Sequence, residues 1–329
     1  RMDRESAVAS PAASVAAEQA IFTSIRSPLG TGYRLVAASP GLSNEDRRAI
    51  VQVAPSHGNL ACEAADATGF VTLPLPSGRR AVLLACHAGP EHTNRGGLRV
   101  HTQAVAIDPG DFARAFRGDA LRLAAAARAL LTPETLRSPP ISLGRTELRP
   151  GDESPGAADP PPEAEHERLA VVLAAALVAR SLVVLGHPRP EQALRWTLAA
   201  LPLGGRVRLS TAFGLKLASS RMFDVTWADA APAELERWLS DRPCAVLDWA
   251  TGLFAPAGAE TAVTGGPEFE PADAAALAGD CRGWIGFARR CWRAGDTATL
   301  HTVADGLADA PTPARLALAV LNVAPPAGG

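Results

Sequence analysis

Alternating hydrophobic and polar positions near the start of the chain predict two β-strands, at residues 20–25 and 33–38. The stretch between them, residues 28–32, contains Gly30 and Gly32. Glycine adopts positive φ angles at little cost, which a tight connection between strands requires. The pattern therefore indicates a β-hairpin.

A helix is predicted directly after this hairpin. Ser43 is a typical N-cap residue, and Asp46 stands three positions later, as in a capping box. We expect Ile50 and Val51 to lie on the inner face of this helix.

The rest of the first half has the pattern of a sheet with a few helices. Three further strands are predicted at residues 69–73, 81–86 and 98–107. Asp108 and Pro109 open a helix that carries Phe112 and Phe116, and a second helix is predicted at residues 120–131. Strands do not alternate with helices here, so we predict an α+β domain with a largely antiparallel sheet.

The second half alternates strands with helices. Residues 182–185 predict a short buried strand, 190–201 an amphipathic helix, and 207–211 the next strand, which together make a βαβ unit. The same pattern continues with a strand at 223–227, a helix at 232–239 and a strand at 245–249. From residue 271 the chain is predicted to be helical, because apolar side chains recur at helical spacing from Trp284 to Cys291. We therefore predict an α/β domain with a helical C-terminal part.

A change in composition separates the two halves. Residues 146–167 are rich in proline, glycine and acidic side chains, and the run 160–162 is all proline. Proline cannot join the interior of a helix or sheet, so this stretch is predicted to be an exposed, irregular linker. The predicted organisation is a disordered tail at 1–17, an N-terminal domain at 18–145, the linker, and a second domain at 168–329.

Composition excludes several classes of function. The net charge is −2 and the pI about 6.4, with acidic and basic residues interspersed, so no nucleic-acid-binding face is expected. No apolar run approaches the ~18 residues of a membrane-spanning helix. The five cysteines show no CxxC spacing, which argues against structural zinc and favours reduced thiols in a cytoplasm.

Signatures of several enzyme classes are missing. The only lysine, Lys216, lacks the glycine spacing and following Ser/Thr of a P-loop. Residues 30–32 lack the third glycine of a dinucleotide fingerprint, and no GxSxG elbow occurs. We expect no catalytic residue, no cofactor and no bound metal.

One enzymatic alternative stays open. Three histidines could hold zinc, or a cysteine could act as nucleophile with a remote histidine. The neighbours Cys86 and His87 point to opposite faces of a strand and cannot pair with each other. The candidate residues are His87, His92, His101, Cys86 and Cys62.

Three stretches of sequence resemble the bacterial GTPase-associated protein family, in its N-terminal and middle domains. They are TGYRLVAASPGLSNEDRRAI at 31–50, RGGLRVHTQAVAIDPGDF at 95–112 and LPLGGRVRLSTAFG at 201–214. The family often has a histidine where this chain has Gln103, so any chemical role of that histidine is absent here.

The resemblance implies a non-catalytic adaptor or scaffold. Its expected partner is a small Ras-like GTPase, together with other proteins of the same operon, in a bacterial regulatory or defence system. A purely structural module of a larger complex is the further alternative. Tyrosine and arginine are favoured at interfaces, and two turns at the ends of the second strand suggest a recognition edge. The predicted contact residues are Thr31, Gly32, Tyr33, Arg34, Ser39, Pro40, Gly41 and Leu42, with Ser210, Thr211 and Phe213 in second place.

Overall fold

The computed structural model describes most of the chain. The described residues are 14–27, 30–92, 96–151, 159–179, 181–218, 221–229, 232–240, 244–255 and 281–309. The loop positions Pro28 and Leu29 lie outside them, as does the start of the predicted helical region at residue 271.

The described strands form one mixed sheet. The strands of the first half are β1 (Val15–Ser27), β2 (Gly30–Ala38), β3 (Thr68–Pro74), β4 (Arg80–Pro90), β5 (Leu98–Ile107) and β6 (Thr146–Leu148). Those of the second half are β7 (Leu182–Leu185), β8 (Thr211–Phe213), β9 (Val225–Ala228), β10 (Ala245–Asp248) and β11 (Phe254–Ala255). Their order is β11-β10-β7-β9-β8-β3-β4-β5-β1-β2, and β6 pairs with β1.

Pairing within the sheet is parallel in one group of strands and antiparallel on either side of that group, since β11 pairs antiparallel with β10. Strands β8, β9, β7 and β10 are mutually parallel, whereas β3, β4, β5, β1 and β2 are antiparallel. The two halves meet where β3 pairs antiparallel with β8, with Phe70 opposite Phe213. The predicted combination of an antiparallel N-terminal sheet and a following α/β part is confirmed.

Helices cover both faces of the sheet. They are α1 (Asn44–Val53), α2 (Pro109–Phe116), α3 (Ala120–Ala127), α4 (Pro133–Arg137), α5 (His166–Val178), α6 (Pro190–Ala200), α7 (Leu203–Arg208), α8 (Pro232–Ser240), α9 (Arg282–Arg293) and α10 (Thr297–Asp305).

The apolar residues of each strand divide between two cores because successive side chains point to opposite faces. On β4, Val82 and Leu84 join the larger core, built with α2, α3, α5, α6, α9 and α10. Leu83 joins the second core, which α1 covers with Ile50 and Val53. A smaller third cluster lies between α8 and strands β7 and β10.

Some predicted bounds differ from those of the elements. Residues 15–17, which the predicted tail includes, belong to β1 and pair with β6, whereas residues 1–13 lie outside the described residues. The segment 146–167 is not irregular at its ends, which form β6 and the start of α5. Because β3 and β8 join one sheet across this segment, it does not separate two sheets; the division into two folding units stays a prediction.

The strand predicted at 207–211 is also wrong. Residues 203–208 form α7, and the strand begins only at Thr211. Pro202 has the fixed φ that suits a helix start. The helix then places Arg206 in the interior, where its guanidinium donates to the Leu201 carbonyl at 2.8 Å and to Asp305 at 2.5 Å. The alternation of polar and apolar residues around Arg206 therefore comes from a helix with a buried ion pair and not from a strand.

A second buried arginine fastens the two halves together. Arg80, on β4, is 1% exposed and donates to the carbonyl oxygens of Val207, at 3.1 Å, and Leu209. Burial lowers its pKa to about 9, although Asp224 opposes the shift. Arg80 also donates to the Thr72 hydroxyl, at 2.7 Å. These bonds satisfy carbonyl groups that α7 leaves unpaired at its C-terminal end.

Candidate partner-binding site

Strand β2 lies at one end of the sheet. It pairs with β1 on one side, and among the described residues no strand pairs with its other side. An unpaired strand edge presents backbone N–H and C=O groups to an incoming strand. Proteins commonly protect such edges with charged residues or proline, yet β2 is nine residues long and its one charged residue is Arg34.

Tyr33, on this strand, is half-buried and bonded inside the fold. Its hydroxyl donates to Glu91 Oε2 at 2.7 Å and accepts from the Val100 N–H at 2.9 Å. Its ring packs beside Phe22, with 5.9 Å between centroids. Burial raises the pKa of Tyr33, and the adjacent Glu91 carboxylate adds to the shift although the Val100 bond opposes it. Tyr33 is therefore a neutral phenol that holds β2 against β5.

The other predicted residues of β2 are more accessible. Thr31 is exposed, and Gly32 and Arg34 are half-buried. Nη2 of Arg34 has no hydrogen-bond partner in the described part of the chain.

The turn at 39–42 is built into the fold. Ser39 is buried, and its hydroxyl accepts from the Gln19 N–H at 2.8 Å. Leu42 is 2% exposed and belongs to the core beneath α1. The Ser39 and Leu42 side chains are therefore not accessible to a partner in this structure, and the prediction that these residues contact one stays a prediction. Pro40 is exposed and stays a candidate.

A buried carboxylate lies against Gly41. A Cβ atom at this position would be 2.0 Å from Oε1 of Glu18, which is 3% exposed and paired with Arg145 at 2.5 Å. Burial raises the pKa of Glu18, but hydrogen bonds from Ser39 and Arg145 outweigh it and hold that pKa below its usual value. The S-P-G-L-S stretch thus has a structural explanation at nearly every position.

Helix α1 begins as predicted. The Ser43 hydroxyl accepts from the Asp46 N–H at 3.0 Å, and the Asp46 carboxylate accepts from the Ser43 N–H at 3.3 Å. This capping box is confirmed. Asp46, Ile50 and Val53 form its inner face, so Val51 was wrongly placed there and is 39% exposed. Residues three or four positions apart share one face of a helix, so the spacing of Asp46, Ile50 and Val53 places these three on one face and leaves Val51 off it.

A shallow depression of about 550 Å³ lies between β2 and α1. Its lining residues are Leu35, Asn44, Arg47, Arg48, Val51 and Gln52. Arg47 also donates to the carbonyl oxygens of Leu42 and Ser39, which fixes the turn beside the depression. An exposed valine next to exposed Arg48 makes this a mixed apolar and basic surface, which the sequence reasoning missed.

The contact residues predicted in second place, Ser210, Thr211 and Phe213, lie away from β2. Ser210 is bonded to Asp224, with 2.8 Å between the hydroxyl and carboxylate oxygens. Thr211 and Phe213 are buried in β8, which strands β3, β4, β5 and β1 separate from β2. At ~4.8 Å per strand, β8 is about 24 Å from β2. These residues therefore do not share the edge of β2, and Thr211 is not accessible.

The enzymatic alternative receives little geometric support. Cys86 and His101 are opposite each other on β4 and β5, but burial raises the pKa of Cys86 and lowers that of His101 to about 4. A nucleophilic cysteine instead needs a lowered thiol pKa, because the thiolate is the reactive form. His87 is bonded to the Ala64 carbonyl, at 2.7 Å. Within the described ranges, no three histidine, cysteine or acidic side chains are placed to share a metal ion.

The fold defines a mixed α/β protein whose first part is a helix-covered antiparallel sheet. Residues 16–142 of this part match the family model described as GTPase-associated protein 1, N-terminal domain type 2. The match confirms the predicted resemblance for the N-terminal domain, and the stretch at 201–214 lies outside the matched residues. No curated protein matches the chain.

Among the described residues, no helix has both the length and the apolar character that crossing a membrane requires.

Proposed function

We propose that this protein is a non-catalytic adaptor that binds a small Ras-like GTPase through the outer edge of β2 and the adjoining surface of α1. The observation that carries the proposal is a nine-residue strand whose outer edge is unpaired in the described structure, within the domain that matches the family. Addition of a partner strand to such an edge is a common mode of recognition, in which backbone hydrogen bonds supply affinity.

Side chains beside the edge supply specificity in this proposal. Val51 offers an exposed apolar contact in the depression, and the exposed Arg48 beside it favours a partner with an acidic surface. Tyr33 contributes by holding β2 in position. We place this adaptor in the cytoplasm, because buried thiols such as Cys244 and Cys291 suit a reducing compartment.

Two substitutions test the proposed surface. Val51→Asp removes the apolar contact and Arg48→Glu reverses a charge, each at an exposed position of α1. We expect each to raise the dissociation constant for the GTPase encoded beside this gene by about tenfold or more, since a central contact contributes about 1–2 kcal/mol or more. The measurement is isothermal titration calorimetry with the GTPase loaded with GDP or with a non-hydrolysable GTP analogue.

Arg137→Glu, an equivalent charge reversal on exposed α4, is the matched control and should leave affinity unchanged. Absence of binding to either nucleotide form would contradict the proposal and favour the structural-module alternative. Stoichiometric zinc in the dialysed protein would instead favour the metalloenzyme alternative.

A further inference from the structure

A second concave site lies at the seam between the two halves of the sheet, far from β2. It is a cleft of about 470 Å³, a volume within the range of small-molecule sites. The residues lining it are Phe70, Leu121, Arg122, Ala124, Ala125, Arg128, Gly151, Glu191, Arg195 and Phe213.

The floor of the cleft is apolar. Phe70 and Phe213 are opposite each other in the β3–β8 ladder, and their rings stack with 4.8 Å between centroids and 18° between planes. Leu121 and Ala124 extend this floor along α3. An exposed small side chain, Ala125, leaves room at the wall. The cleft therefore suits the flat apolar part of a ligand.

The rim of the cleft is basic. Three guanidinium groups, of Arg122, Arg128 and Arg195, face a single carboxylate, that of Glu191. Glu191 lies 3.2 Å from Arg195 and 3.9 Å from Arg128, so two cations share one anion. Arg122 donates to the Gly151 carbonyl, at 2.9 Å, and each guanidinium has five N–H donors. Among the described residues that line the cleft, three cations and one carboxylate give a net charge of +2, and the guanidinium groups have more N–H donors than these bonds use.

From this arrangement we infer that the cleft binds a small organic anion, a phosphate ester or a carboxylate, with a flat apolar group. The apolar group packs on the floor between α3 and α6, and the arginines at the rim hold the anion in the forked geometry that guanidinium groups favour. Because the contributing elements come from both halves of the chain, the bound ligand also holds the two halves together. This site is independent of the proposed GTPase surface.

Protein-observed NMR with phenyl phosphate, benzoate and inorganic phosphate tests the inference. We expect saturable shifts of the α3 amides around Ala124 with one or both aromatic anions, and weaker binding of inorganic phosphate, which lacks the apolar group. The two aromatic probes distinguish a phosphate site from a carboxylate site. Absence of saturation up to about 10 mM, the range in which fragment-sized ligands bind, would overturn the inference.

Matched variants locate the site. Arg128→Gln and Arg195→Gln each remove one rim cation and should weaken binding about tenfold. Ala125→Phe, a change at an exposed position, should abolish binding by filling the cleft while the charges stay. Arg114→Gln removes an exposed arginine of α2 that does not line the cleft, and it should have no effect. Equal weakening by Arg114→Gln, or unchanged binding by Ala125→Phe, would show that the anions bind by net charge alone.

Discussion

Inside the antiparallel sheet, some polar side chains have hydrogen-bond partners and others have none. Thr23 donates to the Val100 carbonyl at 2.8 Å. The Tyr33 hydroxyl donates to Glu91 and accepts from the Val100 N–H. His101 is fully buried, and neither of its ring nitrogens has a partner in the described structure. Burial and the nearby Arg99 lower the pKa of His101 to about 4, so the imidazole is neutral in the folded protein at neutral pH.

His101 should make stability depend on pH. In the unfolded chain the imidazole takes up a proton near pH 6.5, whereas in the folded protein it does so only near pH 4. The free energy of unfolding therefore falls as pH falls from 6.5 to 4, by up to ~1.4 kcal/mol per pH unit for one such group. His101→Leu should remove this part of the dependence, as measured by urea denaturation at a series of pH values.

Above pH 7 the imidazole is neutral in both states, so parent and variant should there show a constant difference in stability. His187, whose pKa burial also lowers to about 4, leaves a residual slope in the variant. Parallel stability curves for parent and variant between pH 7 and 4 would contradict the prediction.

At the scale of elements, several hydrogen bonds fix the connection from β2 to α1. Its turn is bonded to β1 through Ser39, and its helix begins with the Ser43–Asp46 capping box. The Asp46 carboxylate also accepts from the Ser77 N–H at 3.0 Å, which ties α1 to the β3–β4 turn. This connection orients the β2 edge relative to α1, and the proposed GTPase surface depends on both.

Gly41→Ala should destabilise this connection. The new methyl group would collide with the Glu18 carboxylate, which is buried and bound to Arg145 and so has little freedom to move. We expect a loss of about 1–3 kcal/mol in the free energy of unfolding, the usual cost of overpacking. Chemical denaturation measures it.

Two further variants identify the cause. Gly144→Ala, at a glycine whose added Cβ would meet nothing within 4 Å, should cost far less. In a Glu18→Ala background, Gly41→Ala should also cost less, because the colliding group is gone. Equal costs in both backgrounds would show that the collision is not the cause.

At the scale of the whole molecule, two regions of different architecture share one sheet and one large core. The β3–β8 ladder, the Phe70–Phe213 stack and the bonds from Arg80 to the end of α7 all cross the predicted boundary. The larger core also combines residues from both parts, including Phe112 and Trp284.

Cleavage of the chain between the two parts tests how firmly they are joined. A protease recognition sequence inserted at residues 152–158, which lie outside the described residues, would allow one defined cut. We expect the two fragments to elute together from a size-exclusion column under native conditions, since buried apolar and hydrogen-bonded contacts join them. Separate elution of two folded fragments would show instead that each part is an independent domain.

The sequence by itself determined the features that depend on neighbouring residues. Strand β7 and helix α6 lie where periodicity placed them, and the capping box of α1 was predicted from two residues. Such features need only local hydrogen bonds and a regular spacing of apolar side chains, so they are visible in a short window of sequence.

Tertiary structure decided what depends on residues distant in sequence. Strand β8 has three residues and becomes a strand by pairing with β3 and β9. Burial of Ser39 and Leu42, exposure of Val51, and the position of β2 at the sheet edge follow from how the strands are ordered and which face α1 covers. The basic cleft likewise exists only because that order brings α3 and α6 to the same seam. Strand order is set by the summed burial and pairing of the whole chain, which no local pattern contains.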